Sequence, residues 1–223
     1  MALRILRYVA YSILGFVLIS LFMVLLWRFV PPPFTATMLM DENGYSKDWT
    51  PLSQIDRNLV SAVIAAEDSK FCEHDGFDRE AIEEALEERA RGERQRGAST
   101  ISQQTAKNVF LWQGGGWFRK GLEAWFTVLV EATWPKRRIM EVYLNVAETG
   151  IGTYGAEAGA QRYFEHSAAR LTQSEAARMA AALPSPKTRS VRNPSGFTAS
   201  YGNTIQARIG VVRRDGLDAC VYD

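Results

Sequence analysis

Two acidic residues border apolar helical stripes, and a carboxyl group at such a border is placed to move protons. Ile55, Leu59, Val63 and Ala66 share one face of a helix opened by Ser53 and Asp56, because residues three and four apart stack on one side. Glu67 follows one turn after Val63, at the edge of that face. Partial loss of water there raises a carboxyl pKa toward neutrality, which suits general acid or base work. The same residue also reads as a frayed helix end beside Asp68, which needs no chemistry. Glu123 sits at the edge of a second stripe formed by Phe118, Leu122, Trp125, Phe126 and Leu129, with Arg119 one turn before it. That stripe is core, and Glu123 faces Glu67 only if the tertiary fold brings the two helices together.

Anion binding is suggested at two places. Thr100 with Gln103 three residues on is a capping box, so a helix starts there and runs toward Phe110 and Leu111. Its free N–H groups, the approach permitted by Gly97 and the compact charge of Lys107 suit a phosphate. An ordinary capped amphipathic helix has the same pattern. After Pro135, Ile139, Met140, Tyr143 and Leu144 mark another helix with Lys136, Arg137 and Arg138 in its first turn. Cations there oppose the helix dipole and hint at an external anion, although surface cations are commonly just solvated. Gly150 to Gly155 matches the dinucleotide pattern GxGxxG but follows a helix, outside any βαβ unit, and reads as a loop.

The elements that carry these groups begin with a membrane anchor. From Tyr8 to Trp27 run 20 residues without a charge, enough to cross about 30 Å of hydrocarbon. A cleavable signal peptide is the competing reading, but the apolar run continues past the usual signal length into Trp27 and Phe29, then Pro31, Pro32 and Pro33. The anchor therefore spans 8–30, with a cytoplasmic stretch 1–7 and a juxtamembrane linker 31–51. Arg4, Arg7 and the amino terminus outweigh Arg28, which puts the N-terminus in the cytoplasm and the remainder outside. The remaining residues, 52–223, fit one mainly α-helical domain. Arg79 to Arg96 reads as a solvated charged helix with a Glu87–Arg91 pair, and Gly114, Gly115 and Gly116 as a loop. Thr172 and Glu175 form a second capping box on a helix that stops at Pro184. A turn at 192–196 precedes a last helix over Tyr201–Arg214.

Composition excludes little. A net charge of +1 gives no reason to invoke nucleic acid. Two histidines without ligand spacing give no zinc site, and two cysteines, Cys72 and Cys220, read equally as a disulfide or as free thiols.

Four blocks in order carry a family resemblance: Glu67, Asp68, Phe71, His74 and Gly76; Gly97, Ser99, Thr100, Ile101, Gln103, Gln104, Lys107 and Asn108; Arg119, Lys120 and Glu123; and Lys136, Ile139, Glu141, Tyr143, Leu144 and Asn145. The chain resembles the monofunctional biosynthetic peptidoglycan transglycosylases from about Leu52 to Val212, and no penicillin-binding Ser-x-x-Lys or Lys-Thr-Gly motif is present. The resemblance implies a lysozyme-like fold at a bacterial inner membrane with the catalytic domain in the periplasm. It implies polymerisation of lipid II into β-1,4-linked glycan, with inversion at the anomeric carbon and release of undecaprenyl diphosphate. Glu67 is then the general base and Glu123 supports the donor side, ordering the pyrophosphate or a divalent magnesium or manganese ion bound to it. Lys107, Arg119 and Lys120 compensate the leaving diphosphate, and Ser99, Thr100, Gln103, Gln104 and Asn108 shape the wall. Asp68, Phe71, His74, Gly76, Lys136, Glu141, Tyr143 and Asn145 complete the expected substrate-binding set. The implied partners are lipid II, the growing lipid-linked chain, the membrane and a cell-wall synthesis or division complex.

Two departures stand out. Many relatives carry an arginine where Gly115 and Gly116 stand, so a phosphate contact is lost or met by another cation. Gly159 stands where alanine is usual in a stretch running from Gly155 to Phe164. A glycan-cleaving lysozyme-like enzyme and a non-catalytic scaffold remain the alternative classes.

Overall fold

A computed structural model describes residues 1–92 and 97–222. The end of the charged stretch, 93–96, and therefore Arg96, lies outside the described residues. The first helix, α1 (Ala2–Phe29), is long and apolar enough to cross a membrane. It begins six residues before the expected start at Tyr8, so Arg4 and Arg7 lie on it. Its far end is not free. The Trp134 indole N–H donates to the Val24 carbonyl at 2.8 Å, and the Arg138 guanidinium donates to the carbonyls of Trp27 at 2.8 Å and Val30 at 3.0 Å. A helix leaves its last carbonyls without internal partners, and Arg138 supplies them at Trp27 and Val30, while Trp134 adds a second bond to the carbonyl of Val24 farther back. Arg138 also lies over the rings of Trp49 and Trp134.

The expected linker at 31–51 is folded onto the domain. It contains α2 (Ala36–Leu39), capped by the Thr35 hydroxyl, and β1 (Ser46–Lys47). After a single 3-10 turn at Leu52–Gln54 come α3 (Arg57–Glu67) and the surface helix α4 (Arg79–Ala90). Every residue from Leu59 to Ala65 is buried, so α3 is the central helix and not a one-sided stripe. No residue of α4 is buried, and its Glu87–Arg91 pair is solvent-exposed as the charge pattern implies.

The second half packs around α3. It comprises α5 (Ile101–Phe110), α6 (Gly116–Thr133), α7 (Lys136–Val146), the strands β2 (Glu148–Gly150) and β3 (Thr153–Tyr154), then α8 (Ala156–Phe164), α9 (Gln173–Ala182), α10 (Gly196–Arg214) and α11 (Ala219–Tyr222). Both capping boxes form, at Thr100–Gln103 and Thr172–Glu175. The last long helix starts five residues before the expected Tyr201. Within Gly150 to Gly155, expected as a loop, Ile151 and Gly152 do turn, but Gly150, Thr153 and Tyr154 belong to a small sheet of order β1-β3-β2, in which β1 pairs in parallel and β2 antiparallel with β3. Gly155 is required there: its φ is +90°, and a Cβ would stand 2.9 Å from the Asn145 carbonyl. A methyl at Gly159 would come within 2.8 Å of Met179 and 2.9 Å of Thr149, so the close packing of α8 accounts for glycine where alanine is usual.

The basic turn of α7 has interior partners, which corrects the hint of an external anion. Lys136 binds Glu131 at 2.8 Å and the His74 carbonyl at 2.6 Å, Arg137 binds the Val221 carbonyl at 3.0 Å, and Arg138 holds α1. The cysteines, open on sequence, are joined: Cys72 is bonded to Cys220 across 148 residues.

Near that bond the fully buried Asp218 receives two hydrogen bonds from Arg57, at 2.9 and 2.7 Å, and one from Ser61 at 3.1 Å. Burial alone raises its pKa, but the hydrogen bonds and charge of Arg57 prevail and hold it below the ordinary carboxylate range. A depressed folded-state pKa stabilises above the unfolded value, near 3.9, and that contribution disappears as pH falls through the folded value. Asp218→Ala should cost about 2 kcal/mol at neutral pH. Denaturant melts of detergent-solubilised protein check it, and the wild-type advantage should shrink as pH falls below about 3.9, the unfolded value, through the lower folded one.

Candidate active site

Glu67 is the last residue of α3, and the chain behind it is held by a closed set of buried polar contacts. The Asp68 carboxylate accepts from His74 Nε2 at 2.9 and 3.1 Å and from the Ile101 backbone N–H at 3.0 Å, at the start of α5. The Gly76 N–H donates to His74 Nδ1 at 3.1 Å, which places the imidazole proton on Nε2, toward Asp68. Thr100 donates to the Gly76 carbonyl at 2.7 Å while capping α5 together with Gln103. Gly76 is buried at φ +93°, and a Cβ would lie 2.7 Å from Thr127 and 2.9 Å from Glu131. Phe71 is fully buried beneath the Lys136 ammonium, 4.6 Å from its ring centre.

These contacts give part of the expected substrate set partners within the protein. Asp68, Phe71, His74, Gly76, Thr100, Gln103 and Lys136 bond or pack against one another, because each polar group taken from water needs an internal partner, and Asp68 and Thr100 also line the cavity beside Glu67. Two more do the same elsewhere. Glu141 accepts from the Leu52 N–H at 3.0 Å and from Arg138, and Asn145 bonds the Thr50 N–H at 2.8 Å and its carbonyl at 2.9 Å. All nine hold parts of the chain around the site to one another.

What remains open surrounds Glu67. Its Oε2 accepts from the Gln104 amide at 2.7 Å, whereas its buried Oε1 has no hydrogen-bond partner. Burial raises its pKa, opposed by the Gln104 hydrogen bond and the charges of Arg189 and Lys107 and reinforced by Asp68. A cavity of about 200 Å³ on one side is lined by Glu67, Ser69, Ser99 and Arg208 among others. One of about 620 Å³ is lined by Gln104, Lys107, Asn108, Tyr143 and Glu148, by residues of the folded linker and by 183–188. Glu67 lines the first and its hydrogen-bond partner Gln104 lines the second.

Glu123 lies on α6, buried, with its oxygens taken by Arg119 at 2.6 Å and by Lys120. Lys120 also reaches the Ser99 hydroxyl at 3.5 Å. Burial lowers the Lys107 pKa; Glu123 and Glu67 oppose that shift, and Arg119 and Lys120 add to it. Lys107 thus lies in the field of both glutamates, and the fold does join the two acidic edges at one cationic cluster. Cations crowded together out of water gain most when an anion arrives.

Sequence reasoning missed several contributors. Glu131, holding Ser102 and Lys136, was detectable as a lone acid in the apolar run Leu129, Val130, Glu131, Ala132. Tyr201, whose hydroxyl donates to the Ala66 carbonyl at 2.7 Å, and Arg208 come from α10 with no local signal.

A family model described as transglycosylase matches residues 35–209, taking in the folded linker, both glutamates and the cationic cluster. The chain belongs to the transglycosylase family. It is 55% identical over 201 residues to a biosynthetic peptidoglycan transglycosylase of Caulobacter vibrioides, covering 89% of this chain and 88% of that protein. A protein of the same description from Rhodospirillum centenum is 48% identical over 224 residues, covering 99% and 97%, and one from Bdellovibrio bacteriovorus is 45% identical over 226 residues, covering 97% and 90%.

In this transglycosylase Gln104 favours the ionised form of Glu67. Gln104→Leu should therefore raise the Glu67 pKa further and move the acid limb of the kcat/KM profile to higher pH, since a base must be ionised to act. A pH–rate series on the variant and the wild type measures the displacement, and a limb that stays in place removes Glu67 from that ionisation.

Proposed function

We propose that this transglycosylase joins two lipid-borne saccharides, with lipid II as acceptor and the growing lipid-linked strand as donor. Glu67 takes the proton from the acceptor GlcNAc 4-hydroxyl, whose oxygen attacks the anomeric carbon of the donor MurNAc from the face opposite the diphosphate. The carbon is inverted, a β-1,4 bond forms, and undecaprenyl diphosphate leaves. The observation that carries this reading is the buried carboxyl of Glu67, with one oxygen oriented by Gln104 and the other unpartnered, in the field of Lys107, which in turn neighbours Arg119 and Lys120. Stabilising charge that develops on a leaving group commonly supplies the largest single catalytic term, and Lys107, Arg119 and Lys120 are arranged for that work.

Glu123 supports the donor side indirectly. Its carboxylate orders Arg119 and Lys120, and with both oxygens so engaged it does not fit a metal ion. No group of three or more metal-binding side chains occurs among the described residues. A magnesium or manganese ion, where present, travels with the substrate pyrophosphate. The same cations serve in place of the arginine that Gly115 and Gly116 displace.

The placement at the cytoplasmic membrane rests on α1 and its flanking charges, which favour an inner N-terminus and an outer catalytic domain. The disulfide suits an oxidising compartment. Trp117 and Phe118 at the start of α6 are 85% and 73% exposed, as suits residues resting against lipid.

Purified full-length protein with labelled lipid II in detergent should give long polymer sensitive to lysozyme. Glu67→Gln should reduce the rate at least about a hundredfold, as loss of a general base does. Equal rates would remove Glu67 from the mechanism, and release of soluble fragments from finished wall would favour the glycan-cleaving class.

A further inference from the structure

The disulfide reaches the loop that fixes the base. Cys72 lies between Phe71 and His74, inside the stretch whose Asp68 and Gly76 tie Glu67 to the start of α5. Cys220 lies on α11, in a short C-terminal strap. Along that strap Asp218 binds Arg57 and Ser61 at the beginning of α3, Val221 is buried and accepts from Arg137, and the Arg57 guanidinium sits 4.6 Å from the Tyr222 ring centre. The strap thus grips α3 at its first turn by an ion pair and the loop beyond its last turn by a covalent bond. Glu67 is the residue between.

We propose that the Cys72–Cys220 bond is a redox modification that positions Glu67, so that turnover by this chain requires both thiols to be oxidised. This inference rests on the proposed reaction. Formation of the bond removes two electrons and two protons from the two thiols. The acceptor is the disulfide of a thiol–disulfide oxidoreductase, which leaves as a dithiol after passing through a mixed disulfide. Both cysteines are partly exposed, so such an exchange has access. With the bond open, the loop keeps its internal hydrogen bonds but loses its tether to the strap. The Asp68–Ile101 contact then fluctuates, and Glu67 spends less time against Gln104. Catalysis responds steeply to such displacement because a misplacement of about 1 Å costs up to about a hundredfold. Cys72 and Cys220 touch neither cavity, so they act as positioning residues, and the affinity for lipid II should stay nearly constant.

The test uses full-length protein in detergent, in its oxidised form, after reduction by a phosphine, and after reoxidation with oxidised glutathione, beside Cys72→Ala/Cys220→Ala. Reduction should lower kcat about fivefold to tenfold with KM held within about twofold, and reoxidation should restore it. The double variant should show the reduced rate and respond to neither reagent; if it does not fold, the reduction and reoxidation cycle on wild type decides alone. Amide hydrogen exchange in peptides covering 68–76 should quicken on reduction while circular dichroism stays that of a folded helical protein. Unchanged kcat with unchanged exchange overturns the proposal, as does an equal response of wild type and double variant to the phosphine. Exchange is read without turnover, so an oxidised enzyme that makes no polymer counts against the proposed reaction, whereas unaltered exchange counts against the strap.

Discussion

One carboxylate, that of Asp68, joins the parts on which the site depends. It stands immediately after the end of α3 and receives the first N–H of α5 as well as the imidazole of His74. Three pieces of chain separated in sequence are thereby fixed to a single buried group. A negative charge at the start of a helix also meets the positive end of its dipole, which makes the contact favourable where an unpaired buried carboxylate would be costly. From this junction Glu67 projects into one cavity and Gln104 into the next. The hydrogen bond between them orients Glu67 and opposes the larger upward push that burial gives its pKa.

The cations are arranged on the opposite principle. Arg119 and Lys120 are paired through Glu123, whereas burial lowers the pKa of Lys107 against the pull of Glu123 and with the push of Arg119 and Lys120. In the proposed reaction the arriving diphosphate offsets the cost of holding that charge. Glu123 is therefore a scaffold for positive charge, which explains why an acidic residue is placed among groups that attract phosphate. Proton removal from an alcohol and departure of a diphosphate call for opposite electrostatic environments. In the proposed reaction Glu67 and Lys107, each in the field of the other, provide them from α3 and α5.

Local signals in the sequence were reliable and distant ones were absent. Both capping boxes, the glycine loop before α6, the solvated α4 and the i,i+4 pair of Arg119 with Glu123 were legible because each rests on neighbours within one or two turns. Glu67 and Lys107 were legible as chemical candidates for the same reason. The roles of Asp68, His74 and Lys136 were not. Their partners lie 33 residues away at Ile101 and 62 residues apart between Lys136 and His74, and a motif records which residues recur without saying which of them face inward. The basic turn of α7 misled because its unfavourable position against the dipole is relieved by α1, Glu131 and the C-terminal strap, none of which is near in sequence. Pairing of Cys72 with Cys220 had no signal, since two cysteines alone carry no spacing pattern.

The capture of the last turn of α1 by Trp134 and Arg138 turns the anchor into a strut. A tether would let the domain swivel and sample many heights above the lipid; a strut fixed at Val24, Trp27 and Val30 sets one elevation and one heading for the cleft. In the proposed reaction, substrates carried in the same bilayer then have only lateral diffusion and rotation about the membrane normal left to search. Much of the alignment that a freely dissolved enzyme would have to find at each encounter is built into the way this chain leaves the membrane.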